Sequence, residues 1–151
     1  MGADPTPGRS HHHVVCYVSS EEGSRRAVTE AMRVSREKGG ARLTLLHVAD
    51  SPGRFSGGRT SRSRPADEVA ASLRAEARAW LGPLAGRSGA EAVVITADDV
   101  PHAVYEWARE QAATLIVVTP RRRDLRRLLS DPPCPVLLAV GPERPDPPAA
   151  P

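Results

Sequence analysis

VVCYVSSEEGSRRAVTEAMRVSREKGGARLTLLHV, residues 14–48, is the stretch that decides the fold. It opens on Val14 to Val18, a short continuous apolar run of the kind a doubly covered strand requires. Ser19, Ser20, Glu21 and Glu22 follow, and the Ser19/Glu22 spacing is that of a capping box, so a helix is expected to start there. Ala27, Val28, Ala31, Met32 and Ser35 recur at intervals of three and four, which puts them on one helical face. Lys38, Gly39 and Gly40 then form a C-terminal stop. Leu43 to Val48 returns to strand character. Strand, helix and strand in that order make a βαβ unit, whose crossover is right-handed and whose strands are parallel.

The same alternation continues outward from this unit. Val69, Leu73, Ala77, Trp80, Leu81 and Leu84 form an apolar stripe on a second helix, with Trp80 expected in the core. Glu91 to Thr96 is a third strand. Asp98, Asp99 and Pro101 favour a helix start, because early acidic residues complement the helix dipole and proline fits the first turn. Val104, Trp107 and Ala108 give that third helix its inward face. Leu115 to Thr119 and Val136 to Val140 are the fourth and fifth strands. The expected fold is α/β: an open parallel five-stranded sheet with helices on both faces. In such sheets ligands bind beyond the carboxyl ends of the strands, where the strand order reverses.

Residues 14–140 form the expected domain. Residues 1–13 are expected to be a disordered tail, with His11, His12 and His13 as a solvated lead-in, and residues 141–151 a disordered proline-rich tail. Residues 51–65, rich in Gly, Ser and Arg, are expected to be a mobile loop. With 40% hydrophobic but only 3% aromatic residues, the core must be aliphatic. No apolar run reaches the length of a membrane helix and no signal peptide is recognisable, so a cytoplasmic location is expected. Cys16 and Cys134 are too few for a disulfide framework and read as buried small hydrophobes. The formal charge of +3 rests on arginine, of which a GC-rich bacterial genome encodes many, and 18 acidic residues offset it. Nucleic acid is therefore not an expected partner.

Read in order, VVCYVSSEEGSRRA, ARLTLLHV, VPHAVYEWAREQAATLIVV and RRRDLRRLLSDPPCPVLLAV resemble the universal stress protein family over Val14 to Val140. Nucleotide-binding members of that family carry an acidic residue at the end of the first strand and G-x-x-G-x(9)-G-[ST] after the fourth. Such glycines let main-chain N–H groups surround phosphates. Here the acidic position is Ser19, the three glycine positions are Thr119, Arg122 and Pro132, and the hydroxyl position is Pro133. Cys134 follows at once, so the fourth helix is expected to be shortened or absent.

If a nucleotide site is retained, the resemblance places it at Val18, Ser19, Val48, Thr119, Arg121, Arg122 and Arg123. Guanidinium groups would there replace the glycine cradle for ATP or AMP. Arg121 to Arg123 with Arg126 and Arg127 otherwise form a solvated surface helix. His47 is expected to be packed and His102 to lie on the surface. No Walker, GxGxxG, HExxH or GxSxG motif occurs, and no catalytic residue, metal site or cofactor is expected. The expected function is a non-enzymatic stress-response binding module, with a nucleotide-binding regulator as the alternative. The resemblance also implies a homodimer through the last strand, Val136, Leu137, Leu138, Ala139 and Val140, whose edge would otherwise suit an unidentified protein partner.

Overall fold

The computed structural model describes residues 11–50, 66–119 and 125–140. The expected N-terminal tail before His11, the loop 51–65, the cluster Arg121 to Arg123 and the C-terminal tail lie outside the described residues. In chain order the elements are β1 (His13–Tyr17), α1 (Arg25–Glu37), β2 (Arg42–Asp50), α2 (Ala66–Ser88), β3 (Glu91–Ala97), α3 (Val100–Glu110), β4 (Leu115–Val118), α4 (Leu125–Leu128) and β5 (Val136–Leu138).

All five strands are parallel, in the order β3-β2-β1-β4-β5. The chain moves outward from β1 through β2 to β3, then returns to the other side of β1 for β4 and β5. Right-handed crossovers therefore carry α1 and α2 over one face and α3 over the other. The alternation of side chains along β1 follows: Val14, Cys16 and Val18 pack with α1 and α2, whereas Val15 packs beneath α3. Leu45, Leu46 and Ile116 are fully buried, each contributing about 1.5–3 kcal/mol of apolar burial. The order reverses between β1 and β4, so the carboxyl ends of those strands frame the position where such sheets take ligands.

Three helices stop by one device. A main-chain N–H reaches back to a carbonyl five residues earlier, at Gly40 to Ser35 (3.0 Å), Ala90 to Ala85 (2.9 Å) and Ala113 to Ala108 (2.9 Å). This 6→1 bond needs a left-handed residue just before it. Gly39 (φ 79°) and Gly89 (φ 68°) fill that position after α1 and α2, and Ala112 (φ 56°) fills it after α3.

Two local expectations need correcting. The Ser19/Glu22 capping box does not form: α1 starts at Arg25 with Ser24 as its N-cap residue, and no side chain caps it. Ser24 Oγ instead accepts from the Ser19 N–H at 3.0 Å, so the turn is stitched one step later than the box would require. His13 is not solvated; it begins β1 and is 4% exposed. α4 is a single turn, in line with the shortened helix that the missing glycine segment implied.

Candidate binding site

The site grows from the β1–α1 turn. Val18 N–H extends the ladder by donating to Leu46 O at 2.8 Å, and the chain then folds back on its own hydroxyl groups. Besides the Ser19–Ser24 bond, Gly23 N–H donates to Ser20 Oγ at 3.0 Å. A Cβ on Gly23 would come within 2.8 Å of that oxygen. A side chain at this position would have to displace the Ser20 hydroxyl from the turn.

Beside the turn lies a cleft of about 480 Å³, lined by Tyr17, Ser19, His47, Val48, Glu76 and Trp80 among others. β1 and β2 supply its floor and α2 its wall. His47 Nδ1 lies 2.8 Å from Val18 O; since a carbonyl only accepts, Nδ1 carries a proton and donates it to the main chain. Trp80 stands edge-on to this imidazole, with centroids 5.1 Å apart and planes at 78°, the arrangement ring quadrupoles favour. Glu76 carries the single formal charge among the described lining residues. The chemistry on offer is flat apolar contact plus a few hydrogen bonds.

The residues singled out in the sequence separate in space. Ser19 and Val48 line the cleft. Val18 is fully buried and packs in the α1–α2 core. Thr119 follows β4 at the reversal of strand order, half-buried, and its shielded Oγ1 has no hydrogen-bond partner among the described residues. Arg121, Arg122 and Arg123 lie outside the described residues. Trp80, expected in the core, is partly buried: it packs against the α1–α2 core and also lines the cleft. Cys16 is fully buried while Cys134 is half-buried, and burial pushes both thiols up. His102 is exposed on the first turn of α3. Val136, Leu137 and Leu138 form the short edge strand β5, followed by buried Ala139 and by Val140, which is 61% exposed. Sequence reasoning missed Tyr17 and Glu76. Tyr17 lies inside the first apolar run and ends β1, which was a usable signal; Glu76 lies on a helix face indistinguishable from solvent-facing positions. Among the described residues no group of three or more His, Cys, Asp or Glu side chains is placed to hold a metal ion.

The family model described as the universal stress protein family matches residues 11–139. The chain belongs to the universal stress protein family. Among solved structures, a universal stress protein UspA from Lactobacillus plantarum superposes with a TM-score of 0.69 at 18% identity, covering 87% of this chain and 99% of that one. A universal stress protein family member from Burkholderia pseudomallei gives 0.65 at 22% identity, over 85% and 95% of the two chains. The universal stress protein from Archaeoglobus fulgidus in complex with dAMP gives 0.54 at 19% identity, over 85% and 97%. These likenesses establish a shared universal stress protein fold. No curated protein matches the sequence significantly.

Proposed function

We propose that this universal stress protein is a non-enzymatic, cytoplasmic binding module of the stress response that has given up the phosphate cradle of nucleotide-binding relatives. The observation that carries the reading is the chemistry of the cleft at the ends of β1 and β2. Aromatic and apolar groups line it, its one formal charge among the described residues is the Glu76 carboxylate, and the nearby N–H groups of Ser19 and Gly23 are spent on serine hydroxyls. A triphosphate brought there would meet a like charge and find those donors engaged. The sequence supports the same reading, with Thr119, Arg122, Pro132 and Pro133 at the positions of the family's glycine motif. Prolines at the last two lack the N–H groups that would face phosphate. No helix among the described residues is long and apolar enough to cross a membrane.

A second reading, a nucleotide-binding regulator, is favoured by the dAMP complex of the Archaeoglobus fulgidus relative. In it Arg121, Arg122 and Arg123 would meet the phosphates. Acid extraction of the purified protein tells the two apart. The binding-module reading expects no stoichiometric nucleotide in the extract and no phosphate release from ATP above buffer. Recovered AMP or ATP would favour the regulator, and phosphate release abolished by replacing the arginine cluster would make the protein an enzyme.

A further inference from the structure

The cleft at the ends of β1 and β2 has a chemical preference that the loss of a phosphate cradle does not by itself specify. Its α2 wall presents Leu73, Glu76, Ala77 and Trp80, and offsets of three and four residues keep these on one helix face. Glu76 and Trp80 are one turn apart, so their side chains start within about 5–6 Å of each other. Tyr17 brings a second ring from the end of β1. It packs with the α3 side of the sheet, whereas Trp80 packs with the α1–α2 side, so the two rings reach the cleft from opposite faces. Val48 and Ala77, each 4% exposed, give the lining a dry apolar surface on which a flat group can rest.

Charge is the second, independent observation. Glu76 is exposed and makes no hydrogen bond or ion pair with a described residue. Glu30, Glu37, Glu91, Asp99 and Glu106, by contrast, each meet an arginine. The carboxylate left without a partner is thus the one that stands beside two aromatic rings. Alone it would hold a cation only weakly. Ring quadrupoles also attract cations, and an adjoining apolar surface takes the hydrocarbon part of the same molecule.

We infer that the cleft takes an aryl-alkyl ammonium: a flat aromatic ring rests against Trp80 and Tyr17 over Val48, and a short alkyl spacer carries its ammonium group to Glu76. The inference rests on the proposed reading of the cleft as a site without a phosphate cradle. A ring bearing a negative group meets Glu76 as a like charge, and a neutral ring of the same shape gains the apolar contact alone.

Three probes that share one ring and differ in charge test it: phenethylamine, phenethyl alcohol and hydrocinnamate, each titrated into the full chain and followed by the indole N–H resonances in NMR. The Trp80 resonance is expected to shift saturably, while Trp107, the other tryptophan, does not line the cleft and stays in place. The alcohol is expected to bind at least about threefold more weakly than the amine, and hydrocinnamate at least about tenfold more weakly. Glu76→Gln replaces an exposed residue by one of similar helix propensity, and should bring the amine and the alcohol to equal affinity. Equal affinity of all three probes in the unmodified protein, an undiminished preference for the amine in Glu76→Gln, or the absence of a saturable Trp80 shift would each overturn the inference and leave the proposed function standing. Saturation of the same resonance by AMP would overturn both.

Discussion

His13 shows how much one side chain contributes at the amino end of the sheet. Its Nε2 lies 2.9 Å from Thr44 Oγ1 on β2, and its Nδ1 lies 3.2 Å from Gln111 O at the end of α3. Because the carbonyl must accept, Nδ1 carries a proton, while Thr44 Oγ1 sits between Nε2 and the Glu91 carboxylate, to which its hydroxyl donates at 3.4 Å. Trp107 packs edge-on at 6.1 Å. Burial, the largest influence, lowers the His13 pKa from 6.5, Arg42 adding to it and Glu91 and the Gln111 carbonyl opposing it. With the folded pKa depressed, the unfolded chain binds more protons below pH 6.5, so stability is full above that pH and is lost as pH falls beneath it. Glu91, held below 4.5 chiefly by its hydrogen bond from Arg42, adds a separate loss beginning lower. Urea unfolding is therefore expected to give less stability at about pH 5.5 than at about pH 7.5, and His13→Gln should remove most of that difference. A wild-type profile flat across this window would contradict the assignment. Tyr105 on α3 is 7% exposed and its shielded hydroxyl has no hydrogen-bond partner among the described residues, so Tyr105→Phe makes the opposite kind of prediction. Removing an unsatisfied buried hydroxyl without disturbing the ring should stabilise the free protein by about 1 kcal/mol in the same assay.

The elements test the logic of local signals. Strand runs and the helical periodicity of α1 and α3 were legible because burial on one or both faces imposes them directly. The start of α1 was not, since Ser24 competes with Ser19 for the same turn and only the closed loop decides between them. His13 was hidden for a different reason: its partners lie 31 and 98 residues away, a separation no local pattern carries. Trp80 was placed on the inward face of α2, but periodicity alone did not show that it also lines the cleft. The Tyr105 hydroxyl left no trace, since an aromatic on an inward helix face is the ordinary case. The shared helix stop yields a quantitative expectation. After α1 and α2 the left-handed residue is glycine, whereas after α3 it is Ala112, whose Cβ opposes φ near 56°. Ala112→Gly should therefore stabilise the protein by about 0.5–1 kcal/mol, readable as a higher urea midpoint with an unchanged slope. A lower midpoint would mean that the left-handed turn is held by contacts of the alanine methyl.

At the scale of the molecule, the open parallel sheet was implied by the βαβ units and the family resemblance, whereas the strand order came only with the structure, whose reversal between β1 and β4 puts the candidate site at the carboxyl ends of the strands. The chemistry of that site was less legible, because it is assembled from the ends of two strands and the middle of α2. The other end of the sheet order is also exposed: β5 is three residues long, half-buried, and followed by exposed Val140. An apolar edge of this kind pairs readily with a second copy. Light scattering during sizing at micromolar concentration is expected to return twice the chain mass of 16.1 kDa, and a lysine at Val140 to shift the population toward monomer. A wild-type monomer would reject that interface.

The central claim is that the cleft beside His47 and Trp80 does not hold a nucleotide by its phosphates, and calorimetric titration of the purified protein with ATP, AMP and cyclic AMP tests it most directly. No saturable heat is expected at nucleotide concentrations well above about 100 μM. Saturable binding tighter than about 100 μM, equivalent to roughly 5.5 kcal/mol, would contradict it, and its loss on replacing Arg121, Arg122 and Arg123 would identify the arginines as the substitute for the missing glycines.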